Sequence, residues 1–186
     1  MIITLLPVWI NGQNHKTFVK NLQANLNAVA AKLGIFRFRE YRIILDFKEH
    51  TLRVPLITEK GSKQLLCPAG LLPRRRYPLA VYLCAVSIYA AGGLSMRKAA
   101  VLTRKMFGLD KFSHSTISRS RKKLLSLLAS TVHPLDADDF PCRNKTYARS
   151  LLQCLRELLQ DIPQDPFFHT EKIALHFFRT FKVFLL

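Results

Sequence analysis

From Tyr77 to Leu94 the chain carries no charged side chain, although Arg74, Arg75 and Arg76 stand just before this stretch and Arg97 just after it. A segment without a polar face can be buried in a bilayer or in the middle of a protein core. A bilayer span needs about 20 consecutive apolar residues. This stretch is interrupted by Pro78, Ser87, Gly92 and Gly93, so the expectation is a buried helix from about Leu79 to Ala91, stopped by Gly92-Gly93. Other helices must then pack around it.

Two further helices are expected directly downstream. Ser95 is placed to cap a helix over Met96–Phe107 that Gly108 ends, and Ser113 to cap one over about His114–Leu128. Neither cap is followed three residues later by Glu or Gln, so there is no capping box. On the first helix, Ala99, Leu102 and Met106 are expected to face inward and Arg97 and Arg104 outward. On the second, at about 100° per residue, Ile117, Ser120, Leu124, Leu127 and Leu128 gather on one side. Ser115, Ser118, Arg119 and Lys122 gather on the other, with Arg121 and Lys123 on the flanks.

That division suits a helix lying in the DNA major groove. Small hydroxyls near the N-terminus allow close approach, and Arg pairs with the O6/N7 edge of guanine. The expected base-reading residues are therefore Ser115, Ser118, Arg119 and Lys122. The expected phosphate contacts are Arg74, Arg75, Arg76, Arg97, Arg104, Lys105, Arg121 and Lys123.

The charge distribution agrees. The chain has 29 Lys/Arg against 12 Asp/Glu, a formal charge of +17 and a pI near 10.2. Residues 74–123 hold 12 of the cations and Asp110 as their one acid, a net of +11, whereas residues 124–186 hold 7 of each sign. A surplus this local concentrates polyanions at the middle of the chain.

The flanking regions read as follows. Residues 16–33 form an amphipathic helix carrying Phe18, Leu22, Leu26, Val29 and Leu33, with Gly34 at its end. Residues 41–57 form a β-hairpin, Leu45 and Phe47 alternating on one arm and Leu52, Val54 and Leu56 on the other, with the turn at Lys48-Glu49-His50-Thr51. Glu59 to Lys63 is a polar loop, and Leu71 to Pro78 is extended. Helices are expected over Asn144–Gln160 and Glu171–Leu186, separated by Pro163 and Pro166. Their apolar residues (Tyr147, Leu151, Cys154, Leu155, Leu158; Phe177, Phe178, Phe181, Phe184) suit an internal core first, a homodimer surface second and a membrane-surface helix third. The expected fold is mainly α: a helix-turn-helix three-helix unit over 74–130, an N-terminal helix and small β-hairpin in 1–73, and C-terminal helices in 131–186.

No catalytic apparatus is evident. Cys67, Cys84, Cys142 and Cys154 form no C-x-x-C pair, and none of the six histidines stands at metal-ligand spacing from a cysteine. Asp136, Asp138 and Asp139 are a local acidic cluster, not carboxylates spaced for two metal ions. There is no Gly-rich phosphate loop before a helix. Met1–Ile10 is apolar but lacks a basic start and is broken by Pro7, unlike a secretory leader. A binding protein is expected, with no cofactor, metal or small-molecule substrate, located in the cytoplasm and associated with the nucleoid.

The segments Gly93-Leu94-Ser95-Met96-Arg97-Lys98-Ala99-Ala100 and Ser113-His114-Ser115-Thr116-Ile117-Ser118-Arg119 resemble the helix-turn-helix of transposase-type, homeodomain-like DNA-binding domains. Leu71 to Tyr77 resembles the linker of a bacterial transposase-related family in which a zinc-ribbon-like β element precedes that helix-turn-helix. The resemblance covers about residues 41–125. It implies double-stranded DNA as partner, with site recognition as part of transposition or as a transcriptional regulator. The ribbon cysteines of that family are absent here, Cys67 standing alone, and the turn Phe107–Phe112 is longer than the usual tight one. The alternative class is a basic interaction protein binding RNA or anionic membranes; no aromatic RNA-recognition platform is visible in the sequence.

Overall fold

The structure, a computed structural model, describes residues 2–6, 15–59, 62–71, 75–131 and 145–181. The expectations placed on Arg74, on Asp136, Asp138 and Asp139, on the side chain of Tyr147 and on Phe184 lie outside the described residues. Among those described, the order is β1 (Ile2–Leu6), α1 (His15–Lys32), β2 (Phe38–Leu45), β3 (Lys48–Glu59), β4 (Ser62–Pro68), α2 (Leu79–Ala91), α3 (Met96–Phe107), α4 (His114–Thr131), α5 (Lys145–Leu159) and α6 (Pro166–Phe181). The fold is mainly α.

Helix α2 is the axis of the helical layer. Every residue from Leu79 to Ser87 is buried, and α3, α4, α5 and α6 all pack against it. Its buried serine is satisfied: Ser87 Oγ donates to the carbonyl of Leu159 at 2.8 Å, at the end of α5. The same carbonyl also accepts from Ile162 N at 3.2 Å, so Ser87→Ala should destabilise the chain by about 0.5–1.5 kcal/mol, the net worth of one hydrogen bond. Urea denaturation would measure it, and a loss near zero would mean that the serine bond adds nothing to the one from Ile162.

The β element is larger than the expected hairpin. Four strands lie in the order β1-β4-β3-β2, with β1 parallel to β4 and the other pairs antiparallel. The turn between β2 and β3 is Asp46-Phe47, and the polar run Lys48–Thr51 expected there begins β3. The core side explains the shift: Leu45 and Leu52 are both fully buried, and the register Leu45↔Lys48, Tyr41↔Leu52 puts them on one face. Both turn residues have positive φ, 51° at Asp46 and 57° at Phe47, as a two-residue I′ hairpin turn requires. Phenylalanine is a poor residue for that conformation, so the turn has no local sequence signal.

Helix α1 covers the sheet through Phe18, Leu22, Leu26 and Ala30, all buried. Leu33, expected on this stripe, is 54% exposed because it lies past the last helical turn. Gln23 clamps the backbone of Arg53 in β3, accepting from its N–H at 2.8 Å and donating to its carbonyl at 3.4 Å. Phe167 of α6 stacks on Phe18, with centroids 4.0 Å apart, and meets Phe107 of α3 edge-on. One hydrophobic cluster thus runs from α1 through the sheet to α6.

Helix α6 begins at Pro166, five residues before the expected Glu171. Proline tolerates the first helical position, whose N–H needs no helical partner, and Asp165 caps the helix by accepting from Phe168 N at 3.1 Å. Leu151, Leu155 and Phe177 are buried, and Leu158, Phe178 and Phe181 pack on the core. These parts of the C-terminal stripes are used inside the chain.

Candidate nucleic-acid interface

Helices α3 and α4 form where capping predicts. Ser95 accepts from the N–H of Lys98 at 3.3 Å, and Ser113 accepts from that of Thr116 at 3.4 Å. Gly108 ends α3 in the left-handed region, φ 57°. The inward face of α3 differs from expectation, being built of Ala99, Ala100, Thr103 and Phe107. Leu102 is 41% and Met106 40% exposed. Small residues permit close approach to α2 and α4, which leaves the longer side chains outside. Thr103 satisfies its hydroxyl by donating to the Ala99 carbonyl at 2.8 Å.

Helix α4 buries Ile117, Ser120, Leu124, Leu128 and Thr131. Ser115, Arg119 and Lys122 are exposed on the opposite side, and Ser118 is half-buried beside them. Arg119 Nε donates to the Ser115 carbonyl at 3.3 Å, which holds its side chain along the helix surface. Ser113, Ser115 and Thr116 share hydroxyl contacts at the first turn, Ser113 Oγ lying 2.8 Å from that of Ser115 and 3.1 Å from Thr116 Oγ1.

Beside α4 runs an open groove of 420 Å³. The extended segment Arg75-Arg76-Tyr77 and Tyr82 of α2 form one side; Thr116, Arg119, Ser120, Lys122 and Lys123 form the other. Among the described residues five cations line it and no carboxylate does. Arg75 lies over the Tyr82 ring, 5.8 Å from its centroid. The extended segment is fixed because the Arg76 carbonyl accepts from Ile44 N at 2.7 Å, on the outer strand of the sheet. Burial raises the pKa of both Tyr77 and Tyr82, outweighing Arg76 and Arg75 respectively, which lower them. Both phenols therefore stay protonated at neutral pH and can donate.

A second groove, of 380 Å³, lies at the start of α4. Arg97, Arg104, Lys111 and His114 line it together with Asp110, Ser113, Phe112, Ala100 and Val101. Arg97 and Arg104, seven residues apart on α3, thus come together as expected. Lys105 is exposed and lines neither groove. Arg121 sits on the far flank of α4. Its guanidinium lies 5.7 Å from the Tyr89 ring centroid, and its buried Nε has no hydrogen-bond partner among the described residues.

Tyr77, Tyr82, Thr116, Lys111 and His114 were not singled out as site residues by the sequence. The first two belong to an apolar run read as core. Thr116 and His114 were hidden among the polar residues of α4, and Lys111 lies in the turn before it. Among the described residues no group of three His, Cys, Asp or Glu side chains could hold a metal ion. Burial pushes the thiols of Cys67 and Cys84 up to about 12, so both are unreactive core groups. No described helix is long and apolar enough to cross a membrane. Comparisons with protein-family models, curated proteins and solved structures give no match.

Proposed function

We propose that the chain binds double-stranded DNA, with α2, α3 and α4 acting as a helix-turn-helix unit and α4 entering the major groove. The observation that carries this is the groove beside α4, where Arg75, Arg76, Arg119, Lys122 and Lys123 converge with no carboxylate among the described residues of its lining. Five like charges around one concavity repel each other, and a phosphodiester backbone relieves that repulsion while releasing its own counterions. The exposed side of α4 then offers Arg119 and Lys122, with Ser115 and Ser118, to base edges. Arg75, Arg76 and Lys123 hold one wall of the DNA groove, and Arg97 and Arg104 the other.

Arg121 takes a different role from the phosphate contact expected of it. Its contact with Tyr89 ties α4 to α2, so it orients the reading helix. The resemblance of residues 93–100 and 113–119 to transposase-type domains supports site recognition. Selection of bound sequences from a pool of random duplexes tests this directly. Enrichment of a defined motif is expected. Tighter binding to RNA or to anionic vesicles than to any duplex would overturn the proposal.

A further inference from the structure

Tyr77 lines the first cationic groove and holds the backbone of a residue that lines the second. Its hydroxyl donates to the backbone carbonyl of Lys111, in the turn before α4. Its ring meets Phe112 of the same turn at 5.6 Å and Tyr82 of α2 at 6.0 Å between centroids. On one side it continues Arg75 and Arg76, which line the first groove. On the other it fixes the backbone of Lys111, whose exposed side chain lines the second groove with Arg97, Arg104 and His114.

This hydrogen bond therefore ties the segment that carries Arg75 and Arg76 to the turn that carries Lys111. We propose that Lys111 is a further phosphate-binding residue, and that Tyr77 is the positioning residue that holds it in register with Arg75 and Arg76. The two grooves then act as a single clamp on the phosphates of both walls of the DNA groove that α4 enters. Lys111 is the cation of that turn, and its exposed side chain shares the lining with Arg97 and Arg104, which outweigh Asp110 there. The inference rests on the DNA-binding function proposed above.

Two substitutions separate the parts. Lys111→Gln removes the charge but leaves the backbone carbonyl that Tyr77 holds. Tyr77→Phe keeps every charge and the aromatic packing but loses the hydroxyl. Binding of the full chain to one duplex is measured across salt concentrations, for each variant and for the double variant, with thermal unfolding alongside. For Lys111→Gln the slope of log affinity against log salt should become shallower by about 0.9, the value for one phosphate contact on B-DNA. Tyr77→Phe should flatten the slope by about as much or more, although no charge has been removed. The double variant should be no flatter than Tyr77→Phe alone, as expected for residues acting as one unit. An unchanged slope for Lys111→Gln overturns the assignment of Lys111. A Tyr77→Phe chain that loses thermal stability but keeps its slope makes Tyr77 merely structural and overturns its positioning role. A flat response of the unaltered chain would instead remove the DNA-binding function itself.

Discussion

Gly108→Ala is expected to destabilise the chain by about 2–5 kcal/mol, combining left-handed backbone strain with overpacking against backbone. Gly108 has φ 57°, and a Cβ added there would lie 2.7 Å from the Cα of Asp46 and 3.1 Å from the ring of Phe47. The neighbour is the β2–β3 turn, which cannot withdraw freely. Its amides satisfy the end of α3: Asp46 N donates to Phe107 O at 3.0 Å, and Phe47 N to Gly108 O at 2.6 Å. Those bonds fill carbonyls that a helix C-terminus leaves without partners, and they hold Asp46 and Phe47 in their own left-handed conformations. Gly93→Ala is the matched control, because Gly93 has φ 59° but nothing within 4 Å of its Cβ position. It should lose only about 1 kcal/mol, the strain alone. Denaturant titration of the two variants decides between these origins. Equal losses would mean that the turn does not press on α3.

The second large effect concerns recognition. Arg119→Ala should weaken binding to the preferred duplex by about 1–3 kcal/mol and relax the preference at one base position. Arg119 is exposed on the face of α4 opposite its buried residues, beside Ser115 and Lys122. Its Nε bond to the Ser115 carbonyl aligns it with the helix, so that the forked contact with guanine would fall to its terminal amino groups. Lys123→Ala, in the same groove lining, should instead weaken all duplexes alike. Sequence selection with each variant beside the unaltered chain separates the two. If Arg119→Ala lowers affinity uniformly and keeps the same preferred sequence, α4 is an electrostatic anchor and not the reading helix.

The helices of the candidate site were legible because their ends carry strong local signals. Gly92, Ser95, Gly108 and Ser113 each satisfy or release a backbone group that a helix end leaves open: α2 ends, α3 begins and ends, and α4 begins where those residues dictate. The face of α3 was misjudged because Leu102 and Met106 are larger than Ala99, Ala100 and Thr103, while close helix packing favours the small side chains. The sheet was only half legible. The pairing of β1 with β4 joins Ile2–Leu6 to Gln64–Pro68 across the whole of α1, β2 and β3, and no local pattern encodes such a partner. The groove beside α4 was hidden for the same reason. Arg75 and Arg76 reach Arg119 and Lys123 only because β2 holds the carbonyl of Arg76 and Tyr77 holds the turn before α4.

The most direct measurement is the affinity of the full chain for a duplex as salt is raised from about 50 to 200 mM, with anionic vesicles as competitor. With four or more cations of the two grooves on phosphates, the log–log slope should be at least as steep as about −3.6, each contact giving about −0.9. Vesicles should not displace the duplex. A slope near zero, or displacement of the duplex by vesicles, would contradict DNA binding through the cationic surface around α4.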